Sequence, residues 1–417
     1  MLESALSPVR AANEVRALPD PGRPVPHGWS RMRLDDAADR ASGHTPDQGK
    51  PEYWNGGIRW VSLADSNRLD SGYVFETEKE ISALGIRHSS AVLLPAETVV
   101  LSRDAGIGKS AVLASEMAVS QHFIAWKCEE KAHLDPWFLY AWLQLNKAFF
   151  ERMAVGSTIK TIGLPLFKRL TIDFPPLPEQ RRIAEILQAW DEAIEKLEAL
   201  RATKERRFLA LRENLIRRGE AIGVPTCFGE FLTESRIVGA DGATAKKITV
   251  KLYGLGAVAK ENERGGGSAN TRYFKRSADQ LVYSKLDFLN GAFAIIPPNL
   301  DGFETTLDLP AFDVAPSVNA YWILQYLIRP EYYSNQTEMA RGQRKARRIS
   351  PAEFLASRVH LPQRDYQDSV VAVLKTAQQD TDTTAREITA LQLQKRGLMQ
   401  KLLSGEWRVN KSANRHG

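Results

Sequence analysis

FPPLPEQRRIAEILQAWDEAIEKLEALRATKERRFLALRENLIRRG, residues 174–219, decides the reading of this chain. Pro175, Pro176 and Pro178 stiffen its entry, because a ring-locked φ and a missing N–H are excluded from a helix interior. Pro178 suits the first helical position, and Glu179 puts a carboxylate in the first turn, where the helix dipole favours it. From there Ile183, Leu187, Trp190, Ile194 and Leu197 alternate four and three residues apart, the a/d seam of a coiled coil. The register passes through Arg201 and Lys204 and recovers at Phe208, Leu211 and Leu215. Arg217 and Arg218 occupy the expected last turn, and Gly219 is placed as the stop.

One apolar seam needs a partner, and the same chain supplies it. At an offset of 187 positions the rhythm recurs as Val370, Leu374, Ala377, Thr381, Thr384, Ile388, Leu391, Lys395, Leu398 and Leu402. The approach repeats in register: Ile162, Phe167, Ile172, Phe174 and Pro175 match Ile349, Phe354, Val359, Leu361 and Pro362. A repeat of this length implies duplication. Arg201 and Lys204 align with Ile388 and Leu391, while Thr381 and Thr384 align with Ile194 and Leu197. Each helix is therefore expected to set apolar residues against the polar break of the other. Gly397 weakens the last turns of the second helix by about 1 kcal/mol relative to alanine.

The 417 residues allow two or three domains, and 43% hydrophobic content supplies cores for them. A net charge of +6 is a mild basic excess, read either as a solvated surface or as a match for an acidic partner such as nucleic acid. Cys128 and Cys227 stand in unrelated contexts, which indicates neither a disulfide framework nor a zinc site. The most apolar run, Ala91–Leu101, is broken by Pro95 and Glu97 and is too short to span a bilayer. Met1–Pro26, rich in arginine and proline, reads as a disordered leader, and a cytoplasmic location is the default expectation.

In chain order, Ser42–Asp65 is dense in turn formers and yields strand spacing at Ile58 and Trp60. Thr98–Leu101 reads as a buried strand. Asp135–Phe150 reads as a buried helix with Asp135 as cap and Pro136 at its first position. Gly156–Lys160 is a small polar turn. After the long helix, Val250–Tyr253, Gln280–Ser284 and Ala292–Ile296 read as strands, Arg264–Ser268 as a flexible loop, and Asn319–Arg329 as a helix. The order is α/β module, long helix, α/β module, long helix.

Few motifs carry chemistry. Gly106–Ser110 (GIGKS) resembles the end of a phosphate-binding loop, but Arg103 stands where the pattern needs its earlier glycine. A tight turn after the strand is the better reading, since Val282-Tyr283-Ser284-Lys285 matches Val100-Leu101-Ser102-Arg103 without any GKS. The seven histidines lack metal-ligand spacing and read as surface or loop residues. There is no nucleophile elbow, no cysteine–histidine signature and no Asn/Asp-Pro-Pro-aromatic motif; Asp173-Phe174-Pro175-Pro176 has the wrong order. Asp287, Asp301, Glu304, Asp308 and Asp313 sit in turn-rich sequence and read as solvated loop acids rather than a metal-nuclease site. No catalytic and no metal residues are assigned. The exception to this blandness is Arg341–Arg348 (RGQRKARR), with five cations in eight residues, at the place where the first half has Lys160. Arginines there suit phosphates or guanine edges.

These residues together resemble the specificity subunit of type I restriction–modification systems, over nearly the whole chain. The resemblance rests on Pro175–Leu187 (PPLPEQRRIAEIL) with Asp191–Ile194 after it, and on Ser42-Gly43-His44-Thr45-Pro46, Tyr53-Trp54, Gly156-Ser157-Thr158 and Leu402–Trp407 (LLSGEW). It implies an α/β (α+β) fold in which two target-recognition domains are joined by two long antiparallel coiled-coil helices, with a pseudo-twofold internal repeat. The expected boundaries are a leader 1–26, first recognition domain 27–178, first helix 179–219, second recognition domain 220–362, second helix 363–406 and tail 407–417. Each domain would read one half of a bipartite, asymmetric site on double-stranded DNA. The helices would set the spacing and dock two methyltransferase subunits, with restriction/translocase subunits completing the complex. S-adenosylmethionine, ATP and magnesium would belong to those partners, leaving this chain without a cofactor or an activity of its own.

Candidate DNA contacts are then Arg103, Ser157, Thr158, Lys160, Lys285, Arg341, Arg344, Lys345, Arg347 and Arg348. Candidates for the coiled coil and partner docking are Arg181, Arg182, Ile183, Leu187, Trp190, Ile194, Leu197, Leu374, Ile388, Leu391 and Leu398, with Arg181, Arg182 and Glu185 on the outward face. Ile183 to Leu215 spans about 50 Å at 1.5 Å per residue, enough for readers at two ends to reach grooves about 34–36 Å apart. Two rival readings are a coiled-coil adaptor for protein partners and a nucleotide hydrolase using Gly106–Ser110.

Overall fold

The computed structural model describes residues 23–156, 160–260, 271–341 and 347–409. They form two compact units, Met1–Leu197 with Glu387–Gly417, and Glu198–Arg386. The division falls inside both long helices, Leu177–Ile222 and Arg364–Leu403, so that each unit owns one α/β module and one part of each helix.

In the first unit a five-stranded sheet orders Asp39–Ser42, Phe123–Lys127, Val99–Ser102, Ser110–Leu113 and Tyr73–Val74. A four-stranded sheet orders Lys79–Ile81, Trp54–Val61, Met117–Val119 and Leu93–Leu94. Val99–Ser102 and Ser110–Leu113 are buried at every residue, as continuous apolar runs inside a sheet should be. Against them packs the helix Pro136–Leu145. Asp135 caps it by accepting from the N–H groups of Trp137 and Phe138 at 3.0 and 3.1 Å, and it stops at Asn146. The core unites Trp126, Phe138 and Phe167 with Ile183 and Leu187 of one long helix and Met399 and Leu402 of the other. Each such aliphatic side chain contributes about 1.5–3 kcal/mol on burial. The helix parts are walls of the module's core.

The second unit repeats the plan with different strands: Leu232–Ser235, Ala311–Val314, Leu281–Tyr283 and Phe293–Ile295 in one sheet. The helix Ala320–Leu327, capped by Asn319, covers it. Its core joins Phe228, Tyr283, Phe312, Trp322 and Phe354 to Ile216, Val370 and Leu374 of the long helices.

The structural repeat keeps the offset of 187 in the strand that leads into each long helix, Thr171–Phe174 and Arg358–Leu361, and in the helix that follows. An antiparallel ribbon pairs Ser30–Arg33 with Thr171–Phe174 in one unit and Val224–Cys227 with Arg358–Leu361 in the other. The Leu34 N–H donates to the Leu170 carbonyl at 2.8 Å, and Phe228 donates to Ser357 at 3.0 Å. Most telling are two buried glutamines. Gln180 Oε1 accepts from the Asp135 N–H, and its Nε2 donates to the carbonyls of His133 and Pro175, all at 2.8 Å. Gln367 Oε1 accepts from the Asn319 N–H, and its Nε2 donates to the Pro362 carbonyl, both at 2.8 Å.

Within each unit the two long helices run antiparallel. In the first, Lys395 pairs with Asp191, and Arg408, just past the second helix, grips Glu179 with two bonds of 2.8 Å. In the second, the Tyr366 hydroxyl donates to the Leu215 carbonyl at 2.8 Å, and Lys204 Nζ reaches Asp380 at 2.7 Å and Thr384 at 3.0 Å. That last pair corrects the expected alternation of apolar against polar residues, because Lys204 meets polar groups instead. Every seam position of the second helix is buried or half-buried, whereas Arg201 of the first is exposed.

Gly219 does not stop the first helix, which continues to Ile222. A Cβ at 219 would lie 3.0 Å from the Tyr366 ring and 3.4 Å from Pro362 and Trp322, so this glycine supplies space where the second helix crosses closely. Gly397 leaves its helix continuous to Leu403. The strand expected over Val250–Tyr253 ends at Val250, because Tyr253 takes a left-handed φ of 56° in the turn that follows. Of the expected leader, residues 1–22 lie outside the described residues, as does Arg264–Ser268. Arg23 is ordered, donating to the Ser404 carbonyl at 3.0 Å.

Gln180→Ala leaves buried backbone partners unsatisfied and is expected to lower stability by about 2–4 kcal/mol in urea unfolding. Arg182→Ala, on an exposed face, should change it by no more than about 0.5 kcal/mol.

Candidate nucleic-acid interface

In the first unit, three connections converge at one end of the buried strand Val99–Ser102. Arg103 donates its N–H to the His122 carbonyl and accepts at its own carbonyl from Ile162, both at 2.9 Å. Residues 104–109 turn back into Ser110–Leu113 through Gly106 and Gly108, with φ of 87° and 80°. The GIGKS stretch is therefore a tight turn. Its Gly108 and Lys109 N–H groups bond to the carbonyls of Ser102 and Gly106, and Lys109 Nζ is spent on the Ser66 carbonyl at 2.7 Å and its hydroxyl at 3.1 Å. A phosphate cradle needs those donors free.

The third connection is the loop closed by the Val155–Thr161 bridge, with N–H to carbonyl distances of 3.0 and 2.9 Å. Its root is tied down by Asp104: the Thr161 hydroxyl bonds one carboxylate oxygen and His122 Nδ1 lies 2.6 Å from the other. Arg103 Nε stands 3.8 Å from the same carboxylate, buried and without a hydrogen bond. Lys160 is exposed on the loop. Arg103 and Lys160 are thus brought together; Ser157 and Thr158 lie outside the described residues.

The second unit roots its loop in the same way with other residues. Ile349 donates to the Lys285 carbonyl at 3.1 Å, the counterpart of Ile162 on Arg103, which bears out the match of the two strand ends. Arg341 and Arg348 form the closing bridge at 3.0 and 2.8 Å. Arg348 Nε lies 3.9 Å from the Asp308 carboxylate, and Lys285 donates its N–H to the Asp308 carbonyl at 2.9 Å. Arg347 is exposed, while Arg344 and Lys345 lie outside the described residues. Arg341 is exposed but engaged, donating to Glu353 at 2.8 Å, and that hydrogen bond holds the Glu353 carboxyl below its ordinary range. Glu353 in turn closes a capping box with Ser350.

Sequence reasoning missed Asp104, His122 and Glu353, and read Asp308 only as a solvated loop acid. They reach the loop roots from distant positions, and only the Ser350–Glu353 spacing left a local trace. Among the helix candidates, Ile183, Leu187, Leu374 and Ile388 are buried, and Trp190, Ile194, Leu197, Leu391 and Leu398 half-buried. Arg181 and Arg182 are exposed, near Asp135 at 4.0 Å and Glu185 at 3.4 Å respectively. Among the described residues no cluster of histidine, cysteine, aspartate and glutamate is arranged to hold a metal ion, and no helix is long and apolar enough to cross a membrane.

The sequence model of the family described as the type I restriction modification DNA specificity domain matches residues 26–203. Residues 26–203 are similar to a type I specificity domain. That stretch holds the first module, the loop roots around Asp104 and the first helix through its unit boundary. Over 173 residues the chain is 25% identical to the type I restriction enzyme MjaIX specificity subunit of Methanocaldococcus jannaschii, covering 41% of this chain and 40% of that one. Over 180 residues it is 29% identical to the MjaVIII specificity subunit of the same organism, covering 42% and 38%. The matched part is thus about two fifths of each relative's length.

Solved structures extend the likeness of fold beyond the specificity domain. A type I restriction–modification S subunit from M. genitalium superposes with a TM-score of 0.53 at 15% identity, over 92% of this chain and 97% of that one. A chain from a study of complex assembly and conformational transition of the type I system gives 0.61 at 16% identity, over 92% and 100%. The expected fold, two α/β modules with two long antiparallel helices, is the fold observed.

Because the Glu353 carboxyl is depressed in the folded state, the stability of the Arg341 pair is present at neutral pH and disappears as pH falls through the carboxylate range. Arg341→Ala should move the Glu353 titration upward toward its ordinary value, read by carboxyl carbon NMR; an unmoved titration contradicts the pairing.

Proposed function

We propose that this chain is the DNA-specificity subunit of a type I restriction–modification complex. Each module reads one half of a bipartite, asymmetric site on double-stranded DNA through its rooted loop. The observation that carries this reading is the pairing of the specificity-domain match with a second loop, rooted at the repeat-related position and richer in cations. Side chains there differ: Arg103 and Lys160 in one unit, Lys285, Arg347 and Arg348 in the other. Different reading groups on one scaffold recognise different half-sites.

The long helices set the distance between the readers and dock two methyltransferase subunits, with Arg181, Arg182 and Glu185 on the docking face. Restriction/translocase subunits complete the assembly. S-adenosylmethionine, ATP and magnesium are bound by those partners, this chain is not itself an enzyme, and it works in the cytoplasm. The rival readings are weaker. Lys109 is committed to Ser66, which disfavours a nucleotide hydrolase, and a protein-only adaptor leaves the paired basic loops without a purpose.

The test is titration of duplex DNA with the full chain, alone and with its methyltransferase partner. Sequence-selective binding in at least one case is expected, and none in either contradicts the reading. Arg347→Ala together with Lys160→Ala should reduce the slope of log affinity against log salt by about 0.9 for each phosphate no longer neutralised; an unchanged slope removes these residues from the interface.

A further inference from the structure

We propose that His122 is a phosphate-binding residue of the first module, aimed at DNA by Asp104. This rests on the reading of that module as a DNA reader. His122 sits in the turn before Phe123–Lys127, and its carbonyl takes the Arg103 N–H at 2.9 Å, which fixes the residue beside the loop root. Its Nδ1 lies 2.6 Å from Asp104 Oδ2, and the other oxygen of Asp104 is taken by the Thr161 hydroxyl. The Asp104 residue is only 9% exposed, whereas the His122 side chain is 33% exposed.

A carboxylate on one ring nitrogen fixes that nitrogen as N–H and orients the ring, as a partner does for a catalytic or metal-bound histidine. The second nitrogen, Nε2, is then the working edge, and among the described residues it has no hydrogen-bond partner. In the imidazolium form Nε2–H is a charged donor. The charged groups around it are Asp104, Arg103, whose Nε stands 3.8 Å from Asp104, and Lys160 on the adjoining loop. An edge carrying Arg103, His122 and Lys160 attracts an anion, and phosphate oxygens make charge-assisted bonds to such donors.

The second unit shows what is particular about this arrangement. There Arg348, in register with Thr161, approaches Asp308 at 3.9 Å, so its loop root contains a permanently charged guanidinium. Only the first root uses an ionisable ring. Acid favours the imidazolium form of a histidine ring, whereas a guanidinium stays charged throughout.

The experiment measures binding of the full chain to fluorescent duplexes of three unrelated sequences, about 30 base pairs each, near pH 6 and pH 8 and over a salt series. Wild-type protein is expected to bind several-fold to about tenfold more tightly near pH 6. His122→Gln should flatten that dependence and, near pH 6, reduce the salt slope by about 0.9, the value for one phosphate. His122→Arg should keep the tighter binding at both pH values, which separates a missing cationic donor from a damaged fold. All three duplexes should respond alike. The proposal is overturned if wild type and His122→Gln share the same pH and salt slopes, or if the effect depends on duplex sequence, which marks a bond to a base. Failure of every protein, wild type included, to bind any duplex either alone or with the methyltransferase partner added overturns the DNA-reading function itself, a different result from binding that ignores His122.

Discussion

Gln180 and Gln367 each place one neutral amide where three lines of chain meet: the cap of a module's covering helix, the proline before a long helix, and the long helix itself. A proline carbonyl at a helix entrance and a cap N–H are backbone groups that burial leaves without partners. A glutamine satisfies both at once, because its amide presents an acceptor and two donors in one plane. The same side chain at the same offset in both units means that the angle at which each long helix leaves its module is fixed by one shared device. The helix caps and the helix entrances are tied together by that anchor.

Around this anchor the two units diverge freely. Their sheets differ in strand order and length, and their loop roots use Asp104 with His122 and Thr161 in one case and Asp308 with Arg348 in the other. Divergence is tolerated there because the loops rest on backbone bonds from Ile162 and Ile349 to the strand ends, which any side chain permits. A reader whose scaffold is held by main-chain bonds can change its reading groups without refolding.

Much of this was legible in the sequence. The four–three rhythm at Ile183–Leu215 and its recurrence at Val370–Leu402 announced both helices, since burial on a helix enforces that period. Asp135 announced its cap, whereas the equivalent role of Asn319 emerged only in the structure. The end of the first helix was not legible, because Gly219 signals a stop by local rule but serves close packing against Tyr366. The polar match of Lys204 with Asp380 and Thr384 was hidden as well, because alignment of the repeats shows which residues are equivalent and not which ones meet. His122 and Asp104, 18 positions apart with strands of two different sheets between them, left no periodic trace.

The central claim is that two repeated modules read two different halves of one DNA site. Methylome sequencing of cells carrying the complete system, with this chain intact or with residues 228–357 replaced by the corresponding module of another specificity subunit, tests it most directly. A single bipartite, asymmetric methylated motif is predicted, of which the replacement alters one half and leaves the other half unchanged. An undivided motif, or one that changes throughout when only that module is replaced, would contradict the account.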